Sequence, residues 1–437
     1  MTTYDVSQIA EQFLDAQKAV PTSVFSRVTR TARSAYGLGR TVLSKDSDPD
    51  LAAVLRLTSQ LGELKGVAMK MGQVLGFLDS TLPPEVRQML SLLQSRAPAS
   101  SWESIEATVR AALPHQAEEL LAGLEPRPSA VASIGQVHRG KLRDGTEVAV
   151  KVRHPGIDAA LRADFATAGA GLGFANTILL GAASSAREGL EEVRRVMQAE
   201  CDFAAEAAHQ ARFAQILKDD PVIDVPAVEP DFCAEPVLTT RWRAGHRLDD
   251  FLATGPTQAE RDRIGEALFR FYLGTLYRTG WFHADPHPGN YAFTDEGRVI
   301  VYDFGCVRYF EKSIVRALAD LVRALRAEDV SRIREAAIGL GFKGQLKGAD
   351  LDAFLRFARS FFAPILTPGR HAIAPDSGFE AGRLARDKRQ LARLGVPGQL
   401  LFLFRVRFGL YAVLSRIGAI VDWGALESTF AAETAAT

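Results

Sequence analysis

Hydrophobic and polar positions alternate along this chain in places where strands are expected. Thr146-Glu147-Val148-Ala149-Val150-Lys151-Val152 follows an Asp144-Gly145 turn and is rich in β-branched residues, which predicts a strand ending in a lysine. Tyr291 to Asp303 alternates around Asp295-Glu296-Gly297, which predicts two short strands joined by a tight turn. A further short strand is expected over Pro236 to Thr240. The remaining pattern is mainly helical. Glu191 to Ala211 is a charged, alanine-rich helical run, Glu266 to Arg278 reads as a helix, and Leu400 to Ile420 predicts a late apolar helix bearing Arg405 and Arg407. Glu427 to Thr437 reads as a frayed polar tail. Phe165 to Ala186 carries no charge for about 22 residues, long enough to cross a bilayer. Four glycines, Asn176, Ser184 and Ser185 dilute it, so a helical connection is expected there and no membrane span.

Composition narrows the class. The chain has 437 residues with 47% hydrophobic content, enough for two lobes and an extension. Lys+Arg and Asp+Glu number 52 each, so a general nucleic-acid-binding role is unsupported. Cys201, Cys233 and Cys306 are scattered without metal-type spacing, which argues for a reducing compartment and against a structural zinc site. Met1 to Gln17 is polar and acidic and lacks the pattern of a secretory signal. Arg27, Arg30 and Arg33 recur between Val24, Phe25, Val28 and Tyr36, a basic amphipathic stretch that suits either a solvated helix face or an anionic membrane surface.

The candidate chemistry is concentrated in Gly280-Trp281-Phe282-His283-Ala284-Asp285-Pro286-His287-Pro288-Gly289-Asn290 and in Val301-Tyr302-Asp303-Phe304-Gly305. Phosphoryl transfer needs one carboxylate to orient the attacking hydroxyl, with an amide oxygen and a second carboxylate to hold magnesium against the nucleotide phosphates. Asp285, Asn290 and Asp303 have those chemistries in that order, with an Asn five positions after the first Asp and Asp-Phe-Gly a hairpin later. Singly, Asp-Phe-Gly is an ordinary tight turn and the histidines are polar loop residues; the ordered set is what points to a site. Upstream, Val148-Ala149-Val150-Lys151 has the form of the strand whose lysine neutralises the α- and β-phosphates, although an edge-strand lysine reads the same way alone. Glu206 is the first choice for the carboxylate that steadies Lys151, with Glu200 second, against the plain reading of glutamates on a solvated helix face. The glycine-rich phosphate loop is missing. In its place stands Pro128-Ser129-Ala130-Val131-Ala132-Ser133-Ile134-Gly135, whose alanines disfavour the positive-φ conformations that glycine supplies, so the loop should grip nucleotide differently.

These residues resemble the UbiB family of atypical kinases, also called the AarF or ADCK group. Leu64-Lys65-Gly66-Val67-Ala68-Met69-Lys70-Met71-Gly72-Gln73 is similar to the family's Lys-x-Gly-Gln helix, Ala130 to Ser133 to its alanine-rich loop with Val131 as a departure, and Glu200-Cys201-Asp202 to its Glu-x-Asp motif. Glu206 falls where the lysine-pairing Glu of the family sits, and His283 to Asn290 matches the His-x-Asp-Pro-His-Pro-Gly-Asn run throughout. The resemblance spans roughly Pro21 to Trp423.

The resemblance implies an α+β, two-lobed protein-kinase-like fold with an N-terminal helical extension. The expected domains are a helical extension over 1–125 carrying the Lys-x-Gly-Gln motif, a small lobe over 126–240 and a mainly helical large lobe over 241–437. It implies ATP or ADP with Mg2+ as cofactors, and an atypical kinase or ATPase that supports isoprenoid quinone or other lipid metabolism and disfavours transfer to proteins. The alternative is a nucleotide-gated lipid-binding module without productive phosphoryl transfer. The expected catalytic residues are Asp285, Lys151 and Glu206, and the expected magnesium ligands are Asn290 and Asp303. Nucleotide contacts are expected from Ala130, Val131, Ala132, Ser133, Lys151, Lys70, Gln73, Glu200, Asp202 and Thr240, the last at the hinge, where Arg241 replaces an acidic residue and leaves base preference open. The expected partners are an adenine nucleotide and a lipid or quinone precursor, with cytoplasmic localisation, peripheral contact to a membrane surface, and no nucleic acid.

Overall fold

The structure is a computed structural model describing residues 99–132, 134–157, 201–342, 346–374 and 397–435. Lys70, Gln73, Ser133 and Glu200 lie outside the described residues, as do Arg27, Arg30, Arg33 and the uncharged run 165–186. Two compact units divide the chain. One takes the described residues up to Ala204 together with Asp231–Thr239, and the other takes Ala205–Pro230 and everything from Thr240 onward.

Alternation builds the first unit. Strands β1 (Ala130–Val131), β2 (Gly135–Lys141), β3 (Glu147–Arg153) and β4 (Val237–Arg241) form one sheet in that order. Val148, Val150 and Val152 of β3 are fully buried, and the residues between them project from the opposite face, as the two-residue period requires. Helices α1 (Trp102–Ala112) and α2 (Ala117–Gly123) cover the valine face through Ile105, Val109, Leu120 and Leu121. Burial of each valine contributes about 1.5–3 kcal/mol, so the pattern that defines the strand also anchors it. The β2–β3 turn is local chemistry: Asp144 accepts the Thr146 N–H at 2.8 Å, and Gly145 takes φ of +88°. Antiparallel pairing sets Lys151 opposite Val137 on the face away from the valines. Helix α3 (Phe203–Ile216) begins in this unit and continues in the second.

In the second unit, a capping box of Thr257 and Glu260 starts helix α4 (Gln258–Phe269). The helix expected over Glu266 to Arg278 is therefore the end of a longer one, which widens into a π turn over Arg270–Gly274 and resumes as Thr275–Thr279. It stops at Gly280, whose φ is +76° and where a Cβ would run into the Phe310 carbonyl. Strand β5 (Trp281–His283) follows at once and pairs with β8 (Val307–Tyr309). Between them lies the hairpin expected from the sequence: β6 (Tyr291–Phe293) faces β7 (Val299–Val301), with Gly297 at φ +71° in the turn. Two strand pairs thus fix the ends of the segments carrying Asp285, Asn290 and Asp303.

The late apolar helix is α5 (Leu400–Ile417), closed by Gly418 at φ +70°. Beyond it the structure corrects the sequence. Glu427 does not open a frayed tail; it lies within helix α6 (Trp423–Ala435), fully buried. Tyr277 donates to its Oε1 at 2.6 Å, and Arg407 reaches its Oε2 at 3.0 Å while also donating to Tyr411 at 2.9 Å. Burial works against the Arg407 charge, but the Glu427 carboxylate outweighs it and holds the guanidinium protonated. The partners come from elements 150 and 20 residues away, so local polarity could not reveal them. No helix among the described residues is long and apolar enough to cross a membrane.

The buried pair generates a prediction. Glu427→Ala leaves Arg407 charged and unpaired in the core, and urea denaturation should show a loss of about 3–5 kcal/mol. The double variant Arg407→Met/Glu427→Leu should recover most of that loss, since it removes both charges together.

Candidate functional site

The second unit brings Asp285, Asn290, Asp303 and Glu206 into one hydrogen-bonded arrangement, and His283 is its centre. The imidazole is fully buried at the end of β5. Its Nε2 is 2.6 Å from the Asp303 carbonyl, and its Nδ1 accepts the Asp285 N–H at 3.2 Å. A carbonyl can only accept, so Nε2 carries the proton and Nδ1 is bare. Burial lowers the affinity of this ring for a second proton, and its partners need the neutral tautomer. One ring therefore joins the loop after β5 to the segment after β7.

Other contacts fix the main chain around it. The Asp285 carbonyl accepts from the Tyr272 hydroxyl at 3.2 Å and from the Asn290 side-chain amide at 3.1 Å. Tyr272 belongs to the π turn, so the extra residue in that turn helps to aim a hydroxyl at the loop. That bond commits an N–H of Asn290 to Asp285 and does not use its amide oxygen. Asp303 accepts the Gly305 N–H at 3.0 Å, which makes a tight local turn. Phe304 is fully buried, with ring centroids 5.3 Å from Phe213 and 5.7 Å from His283. Glu206, in the first turn of α3, is 2% exposed, and its Oε1 lies 3.4 Å from the Phe304 N–H. Asp285 itself faces a cation: Arg405 of α5 places Nη2 at 2.8 Å from Oδ1.

The first unit carries Lys151, Asp202, Ala130, Val131 and Ala132. Lys151 stands on β3, half-buried, with its ammonium 4.8 Å from the centroid of the Phe203 ring. Asp202 immediately precedes α3. Ala130 and Val131 form β1 and pair with Val137 and Gln136, and the Ala132 N–H donates to the Gly135 carbonyl at 2.8 Å, so the alanine-rich segment is the tip of a hairpin. Gly135 lies so close to β3 that a Cβ would stand 2.5 Å from the Val152 carbonyl oxygen. The single glycine of this segment serves strand packing. In the second unit, Thr240 lies near the end of β4 and bridges Val228, while Arg241 pairs with Glu229 at 2.8 Å.

A model of the ABC1 atypical kinase-like domain matches residues 92–337. The chain belongs to that family. Its fold is the kinase-like fold expected from the motifs, and the UbiB resemblance holds. Among curated relatives, the mitochondrial atypical kinase COQ8B of Rattus norvegicus is 30% identical over 357 residues, covering 77% of this chain and 66% of the relative. The mitochondrial atypical kinase COQ8 of Saccharomyces cerevisiae is 25% identical over 439 residues, covering 92% and 84%. The chain thus spans just under two thirds of the rat protein's length. Among solved structures, Rv3197 of Mycobacterium tuberculosis, determined as a complex with erythromycin, aligns with a TM-score of 0.59 and 28% identity, covering 86% of this chain and 95% of that one.

Three contributors are not marked by the motifs: His283 as a bridge, Tyr272 as its support, and Arg405 as the partner of Asp285. A signal existed for the last, since an arginine in an apolar helical run must find a counter-charge or leave the core.

The buried histidine generates a pH prediction. An unfolded histidine takes up a proton near its ordinary value of about 6.5, whereas native His283 does so only at lower pH. Below about pH 6.5 the unfolded chain binds more protons, so stability is full above that pH and falls as pH drops through it, by at most about 1.4 kcal/mol per pH unit per histidine. His138 and His154, also lowered by burial, add with the same sign. Carboxylates titrate lower, so chemical denaturation between pH 7 and 5 isolates the histidines, and His283→Gln should flatten the slope.

Proposed function

We propose that this protein is an ATP- and magnesium-binding atypical kinase or ATPase of the UbiB type, acting in isoprenoid quinone or other lipid metabolism. The observation that carries the reading is His283, one neutral imidazole tying the Asp285 loop to the Asp303 segment. Such a tie holds the main chain at a nucleophile-orienting residue and at a metal-binding residue in fixed register, a first condition for positioning catalysis of phosphoryl transfer.

Asn290 and Asp303 offer an amide oxygen and a carboxylate, hard donors of the kind magnesium takes alongside substrate phosphates. The Asn290 contact to Asp285 supports this assignment, because it commits the amide nitrogen and leaves the oxygen for a cation. When bound, the metal would neutralise developing phosphate charge. Asp285 orients the hydroxyl or water that attacks. Lys151 is assigned the α- and β-phosphates on its place in the Val-Ala-Val-Lys strand, and Glu206 the steadying of that lysine, on motif order alone. Ala130, Val131 and Ala132 are assigned to cover the phosphates, and Asp202 and Thr240 to further nucleotide contacts, on the same footing.

A second reading, a nucleotide-gated lipid-binding module, is favoured by one contact: Asp285 is paired with Arg405, which tempers its use as a base. The Rv3197 complex with erythromycin, a ligand other than a nucleotide, is in keeping with it. The apolar cavity beside Leu321, Phe354, Phe357 and Phe404 has a volume of about 20 Å³, room for a water-sized guest, so a lipid would need space made for it.

Calorimetry with ATP or ADP and Mg2+, beside ATPase assays with and without liposomes and a soluble quinone-precursor mimic, tests the first reading. Binding should require magnesium, Asp303→Asn should weaken it by about tenfold or more, and Asp285→Asn should lower turnover by about 100-fold while sparing binding. Absence of any adenine-nucleotide binding would contradict it. Full biological activity in Asp285→Asn, with loss in Lys151→Met, would favour the second reading.

A further inference from the structure

Asp285 sits in a loop, Ala284 to Asn290, that contains no lysine or arginine. Its cation arrives from more than a hundred residues later in the chain. Arg405 Nη2 lies 2.8 Å from Asp285 Oδ1, and the two side chains are only 11% and 14% exposed. Loop contacts account for the main chain of Asp285, through Tyr272 and Asn290 on its carbonyl and His283 on its N–H. None of those three bonds reaches the carboxylate. Orientation of the carboxylate is thus a separate matter, and Arg405 is a group that touches it.

The approach of α5 explains how the arginine gets there. Gly409 lies one helical turn after Arg405, on the same helix face. A Cβ at Gly409 would overlap Cγ of Pro286, the residue next to Asp285. The missing side chain lets the helix backbone rest on the loop, and that distance of approach sets the reach of Arg405. Packing and charge act together: Gly409 against Pro286 fixes the helix, and Arg405 against Asp285 uses the position.

We propose that Arg405 is a positioning residue that holds the Asp285 carboxylate in the orientation needed to receive the nucleophile, with Gly409 setting its reach. This rests on the reading of Asp285 as the group that orients the nucleophile. The pair is mostly desolvated, so the guanidinium restrains the carboxylate far more strongly than a surface partner would. A purely structural ion pair would tie α5 to the loop and affect stability alone; a positioning role makes Arg405 and Asp285 act as one unit in turnover.

A double-mutant cycle on the full chain separates the two, with ATPase turnover, the KM for Mg-ATP and the thermal midpoint read for every variant. Arg405→Met should lower kcat about tenfold or more while the KM stays within about threefold, and Arg405→Lys should restore part of the loss. In an Asp285→Asn background, adding Arg405→Met should change kcat by less than about twofold, because the group it positions is already disabled. Gly409→Ala should lower kcat in the same direction by pushing α5 off Pro286. If Arg405→Met does not fold, Arg405→Lys and Gly409→Ala carry the test, each against Asp285→Asn. Independent, multiplying losses from Arg405→Met and Asp285→Asn, or an unchanged kcat in Arg405→Met where Asp285→Asn is impaired, would overturn the inference alone. An unchanged kcat in Asp285→Asn would overturn the reading of Asp285 and the inference with it.

Discussion

The site depends on a neutral histidine in a place where water does not reach. His283 donates to the Asp303 carbonyl and accepts from the Asp285 N–H, two opposite roles that a protonated ring could not fill. Burial keeps the ring neutral, and the strand pair keeps it buried: β5 carries it just after a helix that ends abruptly at Gly280, and β8 sets Val307 opposite it. Phe304, packed against Phe213 and the imidazole, closes the other side. Sequence, packing and protonation state are therefore one constraint viewed at three levels.

Much of this is legible in the sequence. The β6–β7 hairpin could be read from alternation and from Asp295-Glu296-Gly297, because turn chemistry is local and Gly297 needs the positive φ that the sequence advertises. Strand β3 was legible for a similar reason: Val148, Val150 and Val152 share one face, and Gly145 makes the preceding turn. The order of Asp285, Asn290 and Asp303 predicted a site, and the second unit does bring the three together.

What escaped the sequence was long-range. Glu427 looks like tail polarity until Tyr277 and Arg407 are seen to enclose it. Arg405 looks like a misplaced charge on an apolar helix until Gly409 is seen resting on Pro286. The smallness of Gly135 serves the approach of β2 to the Val152 carbonyl, which the sequence around it does not show. In each case the meaning of the residue is set by a partner that no window of sequence contains.

Membership of the ABC1 family gives the kinase-like frame, and the chemistry within that frame rests on the geometry around His283. The most direct test is a crystal structure of the protein soaked with ADP and Mn2+, which reports the metal by its anomalous signal. The account predicts the ion between the Asn290 amide oxygen and the Asp303 carboxylate, with the His283 bonds intact. An ion bound elsewhere, or Asp303 and Asn290 turned apart with nucleotide present, would contradict it.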